Sequence, residues 1–174
     1  GVINGISMPI EFVFVSDDEM NYIRDRPTDY VITQLQLSKS VIEAGDTVKK
    51  ILLRFVNPVK ELYMIIQDQD KVSNNIFTGN DWFNFQNSQM TDFPMGEQLN
   101  TLSLSFNNEE RISDEVANAL FLRHIQPMSA HTRVPTRHVY NYSFSIDPEN
   151  YLPTGQVNMS RIQNKVLKLN TTSN

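Results

Sequence analysis

A strongly alternating segment that stops at a proline-rich corner is the feature that most constrains how this chain can fold. Apolar and polar residues alternate from Tyr140 to Ile146, as expected for a strand with one buried face. Asp147-Pro148 ends this run, because proline cannot donate a hydrogen bond to a sheet ladder. Pro153-Thr154-Gly155 adds a second break, with a glycine that is free to adopt a positive φ angle. The alternation resumes at Val157, so the pattern predicts a rigid corner between two strands.

Short strands separated by turns account for most of the remaining chain. Period-two alternation predicts strands at residues 10–15, 31–37, 51–55 and 102–106, and residues 62–66 are apolar on both faces, as in a deeply buried strand. Residues 17–30 and 126–137 are expected to be loops. Ser113-Asp114-Glu115 is typical of a helix N-terminus, which predicts one short helix ending near Leu122. These elements favour an all-β sandwich of about eight short strands.

A long insertion at residues 68–98 interrupts this regular pattern. It is rich in Asn, Gln and Asp, and a loop of this length in a compact domain is expected to be packed or functional. Its aromatic residues are therefore predicted either to pack on the domain or to form a subunit contact or exposed loop. The residues concerned are Phe77, Trp82, Phe83 and Phe85.

Composition and charge exclude several classes of function. A net charge of -5 argues against a surface that binds nucleic acid directly, since such a surface needs clustered basic side chains. No apolar run reaches the roughly 18 to 20 residues needed to cross a bilayer. The chain has no Cys, so it has neither disulfides nor thiol chemistry. With 40% apolar residues it can still build an ordinary hydrophobic core.

The residues that could carry catalysis or bind a metal do not form a recognisable motif. His124, His131 and His138 are spaced seven apart and would alternate between the two faces of an extended strand, so we expect no metal centre. The acidic run at residues 17–19 lacks the spacing and the glycine of an EF-hand. The sequence also lacks the Gly-x-Ser-x-Gly motif of a serine hydrolase. We therefore expect no catalytic residue, no metal and no cofactor.

The corner resembles a motif near the C-terminus of the major capsid proteins of nucleocytoplasmic large DNA viruses. Two further segments are similar to the same family, in the same order. One is residues 57–67, with Asn-Pro-Val-Lys-Glu-Leu at its start, and the other is residues 126–135, with Gln-Pro and His-Thr-Arg. The residues of the corner that carry the resemblance are Pro148, Glu149, Tyr151, Pro153, Thr154, Gly155, Asn158, Ser160 and Arg161.

The resemblance implies a jelly-roll β-sandwich, specifically the second roll of a double jelly-roll capsid protein. Residues 1–28 would be the junction strand and loop that lead from a first roll, and residues 29–174 the second roll, incomplete at its C-terminus. The implied function is structural: a homotrimer forms a pseudo-hexagonal capsomer, and capsomers tile an icosahedral shell. The implied partners are neighbouring capsomers and minor capsid and penton proteins, near an internal viral membrane that the protein does not span. The implied location is the virion, after assembly in the host cytoplasm.

Within the corner, the resemblance and the residue chemistry together suggest a structural lock. Its expected members are Pro148, Tyr151, Pro153, Gly155, Asn158, Ser160 and Arg161. The guanidinium of Arg161 could donate hydrogen bonds to several backbone carbonyls with its fixed donors. The alternative is that Arg161 is a free side chain on the surface. His131-Thr132-Arg133 is expected to supply hydrogen bonds that fix its own loop.

Two other functions remain open on the sequence alone. The first is a β-sandwich module that binds carbohydrate or protein, with Trp82, Phe83 and Phe85 as a platform. The second is a cupin-like metalloenzyme that uses the three histidines, which their spacing disfavours.

Overall fold

The computed structural model describes residues 5–27, 29–74, 80–87 and 96–172. The chain divides into two compact units, Gly1–Thr33 and Gln34–Asn174. Of the expected functional residues, Phe77 lies outside the described residues.

The first unit contains a helix where the sequence predicted a loop. α1 (Asp17–Asp25) begins after Ser16, whose hydroxyl accepts a hydrogen bond from the Glu19 amide, while the Glu19 carboxylate accepts from the Ser16 amide at 3.1 Å. This reciprocal pairing is a capping box, and three acidic residues in the first turn interact favourably with the positive end of the helix dipole.

The prediction of a strand at residues 10–15 is also wrong. Those residues have no ladder partner in the described chain, and Phe14 is 94% exposed.

The described residues of the second unit form eight strands, and every pairing among these strands is antiparallel. The strands are β1 (Val48–Leu52), β2 (Pro58–Val59), β3 (Glu61–Met64), β4 (Leu99–Phe106), β5 (Glu109–Ile112), β6 (Tyr140–Ser143), β7 (Val157–Asn158) and β8 (Lys165–Thr171). A four-stranded sheet has the order β1-β8-β4-β5, and two short pairs, β2-β7 and β3-β6, accompany it. Asn107 and Asn108 make the β4-β5 turn with φ angles of 52° and 69°, which asparagine tolerates better than most residues.

The core lies between the four-stranded sheet and the β3-β6 pair. Alternate leucines of β4 and β8 bury one face of the sheet against Tyr140, Tyr142 and Leu122. In β4, Leu102 and Leu104 are at most 1% exposed, and in β6 Tyr140 and Asn141 are 0% exposed. The prediction that residues 62–66 form the deepest strand is wrong, because Tyr63 and Ile65 are 51% and 52% exposed.

The helical segments of the second unit also differ from the prediction. α2 (Gln69–Val72) is a single turn, and a π-helical segment, Phe121–Ile125, leads directly into α3 (Gln126–Ala130). The helix therefore starts later than Ser113 and continues through residues predicted as a loop. Pro127 follows directly after the π-helical segment, inside one continuous helical stretch, and it donates no backbone hydrogen bond there.

Residues 31–37 form no strand, although their alternation predicted one. Leu35 and Leu37 are 88% and 74% exposed. The Gln36 side chain takes the place of a ladder partner, since its amide donates to the Val56 carbonyl at 2.6 Å and accepts from the Val56 amide at 3.0 Å.

Candidate functional site

The corner, residues 147–162, is closed on itself by one hydroxyl group. The Thr154 hydroxyl donates to the Asp147 carbonyl at 2.8 Å and accepts from the Asp147 amide at 2.9 Å. It also lies 2.6 Å from the Ser145 hydroxyl. These bonds join the start of the corner to residue 154 and fix the shape of the loop between them.

Gly155 is needed for close packing, and not for the backbone conformation that the sequence suggested. Its φ is not in the positive range, so the freedom of glycine to adopt that range is not used here. A Cβ atom at this position would lie 2.7 Å from the Phe144 carbonyl oxygen and 3.0 Å from Ser145 Cα. Both neighbours are backbone atoms that no side-chain rotation can move, so any larger residue would separate the corner from the end of β6.

Two lysines hold the carbonyl groups of the corner. Lys60 Nζ donates to the Asn150 carbonyl at 3.0 Å, with the Pro148 carbonyl at 3.5 Å. Lys165 Nζ donates to the Met159 and Ile162 carbonyls at 3.0 and 2.8 Å. Lys165 is only 8% exposed, so these carbonyls replace the water that its charge would otherwise require.

Arg161 does not have the locking role that was expected of it. Its side chain is exposed and forms no hydrogen bond or ion pair with the described residues. Tyr151 is likewise 62% exposed, so its ring does not pack inside the corner. The expectation that these two residues lock the corner is therefore wrong, and lysines from β8 and from the β2-β3 link supply the donors instead.

The other expected members of the corner occupy different environments. Pro148 is buried and Pro153 is exposed. The Asn158 side chain accepts a hydrogen bond from the Ser160 amide at 3.1 Å, which starts a 3-10 turn, Met159–Arg161. The Ser160 hydroxyl accepts from the Asn57 amide at 2.7 Å. β7 therefore ends after two residues, and the strand predicted to continue through Met159 gives way to this turn.

His131 connects the corner to β3. Its Nε2 lies 2.9 Å from a Glu61 carboxylate oxygen, and its Nδ1 lies 3.2 Å from a Glu149 carboxylate oxygen. The Thr132 amide also donates to Glu149 at 3.2 Å, and this bond is the main reason that the pKa of Glu149 falls below its ordinary value. The three segments that carry the family resemblance thus meet at the His131 imidazole, whereas the sequence had suggested hydrogen bonds within the loop of residues 131–133.

The histidines do not assemble a metal site. His138 is buried, and its Nε2 lies 3.8 Å from Glu97, while His131 is occupied by Glu61 and Glu149. Across residues 5–27, 29–74, 80–87 and 96–172, no three side chains of the metal-binding types are grouped to hold an ion. Within those same ranges, no helix is both long enough and apolar enough to cross a membrane.

A buried polar cluster, which the sequence did not reveal, lies beside the core. Glu97 pairs with Arg123 and accepts a hydrogen bond from the Tyr140 hydroxyl at 2.7 Å. The same hydroxyl accepts from the Leu99 amide at 3.2 Å. Burial, and then the bond to Glu97, raises the pKa of Tyr140 well above its ordinary value. This cluster ties the end of the insertion to β6 and the π-helical segment.

Residues 80–87 of the insertion, named the Trp82 turn, form a braced turn with exposed aromatic rings. Trp82 and Phe83 are 53% and 68% exposed, whereas Phe85 is half-buried. The Trp82 carbonyl accepts from Gln67 at 2.6 Å, and Arg137 bonds the Phe83 carbonyl with its guanidinium 5.5 Å from the ring centroid. The backbone is therefore fixed while the two largest apolar side chains remain in contact with solvent.

The strand pattern could have predicted that Lys165 is buried. Lys165 is in phase with Leu167 and Leu169 on an alternating strand, so its side chain had to face the core. A lysine at such a position predicts a buried partner. Lys60 carried no comparable signal, because its contacts are made about 90 residues further along the chain.

Comparisons with known proteins agree with this arrangement. A family model described as large eukaryotic DNA virus major capsid protein matches residues 19–174. Probable capsid protein 4 of Acanthamoeba polyphaga mimivirus is 29% identical over 157 residues, which cover 88% of this chain and 30% of that protein.

Two solved structures have a similar fold. The Faustovirus major capsid protein matches with a TM-score of 0.61 and 16% identity, over 73% of this chain and 28% of that chain. The PBCV-1 virus capsid protein matches with a TM-score of 0.57 and 21% identity, over 78% of this chain and 36% of that chain. The all-β jelly-roll prediction is thereby confirmed. This chain spans about a third of the length of these relatives. The match over residues 19–174 shows that it belongs to the family of major capsid proteins of large eukaryotic DNA viruses, which are structural and not enzymatic.

Proposed function

We propose that the full-length protein trimerises into pseudo-hexagonal capsomers and that these capsomers tile the icosahedral shell of a large DNA virus. In this proposal residues 1–28 form the junction from a first jelly roll, and residues 29–174 belong to the second. The single observation that carries the proposal is the family match over residues 19–174. The fold supports it, because two packed layers of antiparallel strands give a rigid block with loops at its edges.

The partners follow from the same proposal. The protein binds two further copies of itself within a capsomer, then neighbouring capsomers and minor capsid and penton proteins. It lies in the virion near an internal membrane without spanning it, after assembly in the host cytoplasm. Its net charge of -5 is consistent with the absence of direct contact with the genome.

The Trp82 turn is proposed as a subunit contact or as an exposed loop of the capsomer. Its rings are presented on a backbone that Gln67 and Arg137 already hold, so little conformational entropy is lost on binding. Hydrogen exchange of residues 80–87 in the isolated subunit and in the assembled capsomer tests this proposal. Protection that rises on assembly supports a subunit contact, and equal protection would favour simple packing of these residues on their own subunit.

The molar mass of the full-length protein in solution tests the proposal as a whole. Light scattering after size exclusion should give three times the subunit mass at micromolar concentration. A monomer would contradict it, and a monomer that binds oligosaccharides through Trp82 and Phe83 would favour the carbohydrate-binding module.

A further inference from the structure

The ring of His131 lies between two carboxylates, one on each side. Its Nε2 is 2.9 Å from a carboxylate oxygen of Glu61 in β3, and its Nδ1 is 3.2 Å from a carboxylate oxygen of Glu149 in the corner. The His131 side chain is only 12% exposed, so water does not replace these partners easily. Because ionised carboxylates only accept hydrogen bonds, both contacts form together only when the ring carries a proton on each nitrogen.

A neutral imidazole cannot keep both of these contacts. It has one N–H donor and one bare nitrogen, which is an acceptor. A bare nitrogen that faces a carboxylate has an acceptor opposite an acceptor, so the neutral ring needs a donor next to the nitrogen that has lost its proton. Histidine side chains in general gain and lose their second proton between about pH 5 and pH 8, so both forms of the ring occur under ordinary conditions.

Tyr63 provides such a donor, and it faces only one of the two nitrogens. Its hydroxyl oxygen lies 3.3 Å from His131 Nε2. Glu61 and Tyr63 are two residues apart in β3 and therefore lie on the same face of the strand, which puts the carboxylate and the hydroxyl side by side at Nε2. On the other side of the ring, the partner of Nδ1 among the described residues is the acceptor Glu149.

The Tyr63 hydroxyl keeps its proton and can turn between two acceptors. Partial burial, and then the charge of Glu61, raises the pKa of Tyr63 well above its ordinary value. The hydroxyl also hydrogen-bonds to Glu61, so a rotation of its hydrogen is enough to direct it from the carboxylate to Nε2. Glu61 is not left without a partner, because the Asn141 amide donates to it at 3.1 Å.

The titratable groups that face His131 in the described chain come from two elements. β3 contributes Glu61 and Tyr63, and the corner contributes Glu149. β6 contributes the neutral amide of Asn141, which reaches Glu61 and not the ring. The four side chains Glu61, Tyr63, His131 and Glu149 are called the His131 junction below.

We propose that the His131 junction is a pH-sensitive switch with two settings. When the ring carries both protons, Nε2 donates to Glu61 and Nδ1 donates to Glu149. When the ring loses its Nε2 proton to solvent, the Tyr63 hydroxyl donates to Nε2, and Nδ1 continues to donate to Glu149. The corner therefore stays joined to β3 in both settings, while the junction gains one negative charge as the pH rises. The switch involves contacts within one chain, so it goes beyond the proposed function and does not depend on it.

Neutron diffraction from deuterium-exchanged crystals of the full-length protein tests the switch directly, because it locates the exchangeable hydrogens. Crystals at about pH 5 should show deuterium on both ring nitrogens of His131. Crystals at about pH 9 should show deuterium on Nδ1 alone, with the Tyr63 deuterium directed at Nε2. A neutral ring protonated at Nε2, or a ring that keeps both protons at about pH 9, would overturn the proposal.

Tyr63→Phe tests the role of the hydroxyl, and Tyr151→Phe is the matched control. Tyr63 and Tyr151 are 51% and 62% exposed, but only the Tyr63 hydroxyl faces His131. Without that donor each ring nitrogen faces only a carboxylate, so at about pH 9 the Nε2–H form should rise to about half of the neutral rings or more. The control should keep the Nδ1–H form of the parent protein.

Thermal unfolding of both variants is measured in parallel to separate the switch from a packing role. A Tyr63→Phe variant that melts at a lower temperature but keeps the ring protonated on Nδ1 alone at about pH 9 would show that Tyr63 only packs against His131, and it would overturn the proposal. The measurement on the parent protein uses no substitution, so it decides the question even if Tyr63→Phe does not fold.

Discussion

Replacing Gly155 by alanine should destabilise the protein through a collision between two backbone segments. The added Cβ would lie 2.7 Å from the Phe144 carbonyl oxygen, closer than real Cβ contacts allow, and 3.0 Å from Ser145 Cα, which is tighter than most of them. Overpacking usually costs about 1 to 3 kcal/mol, and we expect the upper part of that range because no flexible side chain can move aside. The corner must then shift away from β6, which weakens the Thr154 and Lys60 contacts.

Urea unfolding of the full-length protein, followed by circular dichroism, measures this loss of free energy. Gly5→Ala is the matched control, since a Cβ at Gly5 meets nothing within 4 Å and no positive φ is found there. The control should stay within about 0.5 kcal/mol of the parent protein, as surface substitutions usually do. If Gly155→Ala were equally neutral, the close approach of the corner to β6 could not be a stabilising constraint.

Three further substitutions test the polar anchors. Lys165→Met should lower the free energy of unfolding in urea by about 1 to 3 kcal/mol, because two carbonyls lose their donor. Lys50→Met, on the exposed face of β1, is the control and should be neutral. Equal effects of the two substitutions would show that Lys165 does not stabilise the corner. Tyr140→Phe should also cost about 1 to 3 kcal/mol, since Glu97 and the Leu99 amide each lose a partner, and an unchanged midpoint would refute that reasoning. Because the pKa of Glu149 is lowered in the folded protein, its contribution to the free energy of unfolding is complete above its ordinary pKa of 4.5 and is lost as the pH falls through the lower folded pKa. The Glu149→Gln variant should therefore lose less stability than the parent protein on acidification below pH 4.5. Parallel curves of stability against pH for the two proteins would contradict this.

The parts of the fold that could be predicted are those with local causes. The β4 strand, the turn at residues 107–108 and the break at Asp147-Pro148 follow from alternation, turn residues and proline chemistry. Residues 10–15 and 31–37 alternate just as clearly but form no strand. A strand exists only where another strand offers its backbone groups, and alternation alone cannot say whether that partner is present.

α1 and α3 were not predicted, for different reasons. α1 has a local signature, Ser16 followed by Glu19, which is also compatible with an acidic surface loop. α3 contains Pro127, which favours a loop because proline lacks the amide that an interior helical residue donates, yet the chain is helical on both sides of it. A proline therefore does not by itself exclude a helix.

The corner could be located from the sequence, but its anchors could not be assigned. Arg161 was the natural choice because it belongs to the motif and has several donors. Which cation reaches a given carbonyl depends on how distant segments approach, and here Lys60 and Lys165 come from separate strands or their links. The convergence of Glu61, His131 and Glu149 is of the same kind, because the order of motifs does not fix their contacts.

Electron cryo-microscopy of purified particles tests the central claim, that this chain is part of a subunit of the outer shell. We expect three copies of the protein in each capsomer, with backbone density that follows the corner and density that joins His131 to Glu61 and Glu149. Particles whose shell contains a different protein, with this chain absent or located inside the shell, would contradict it.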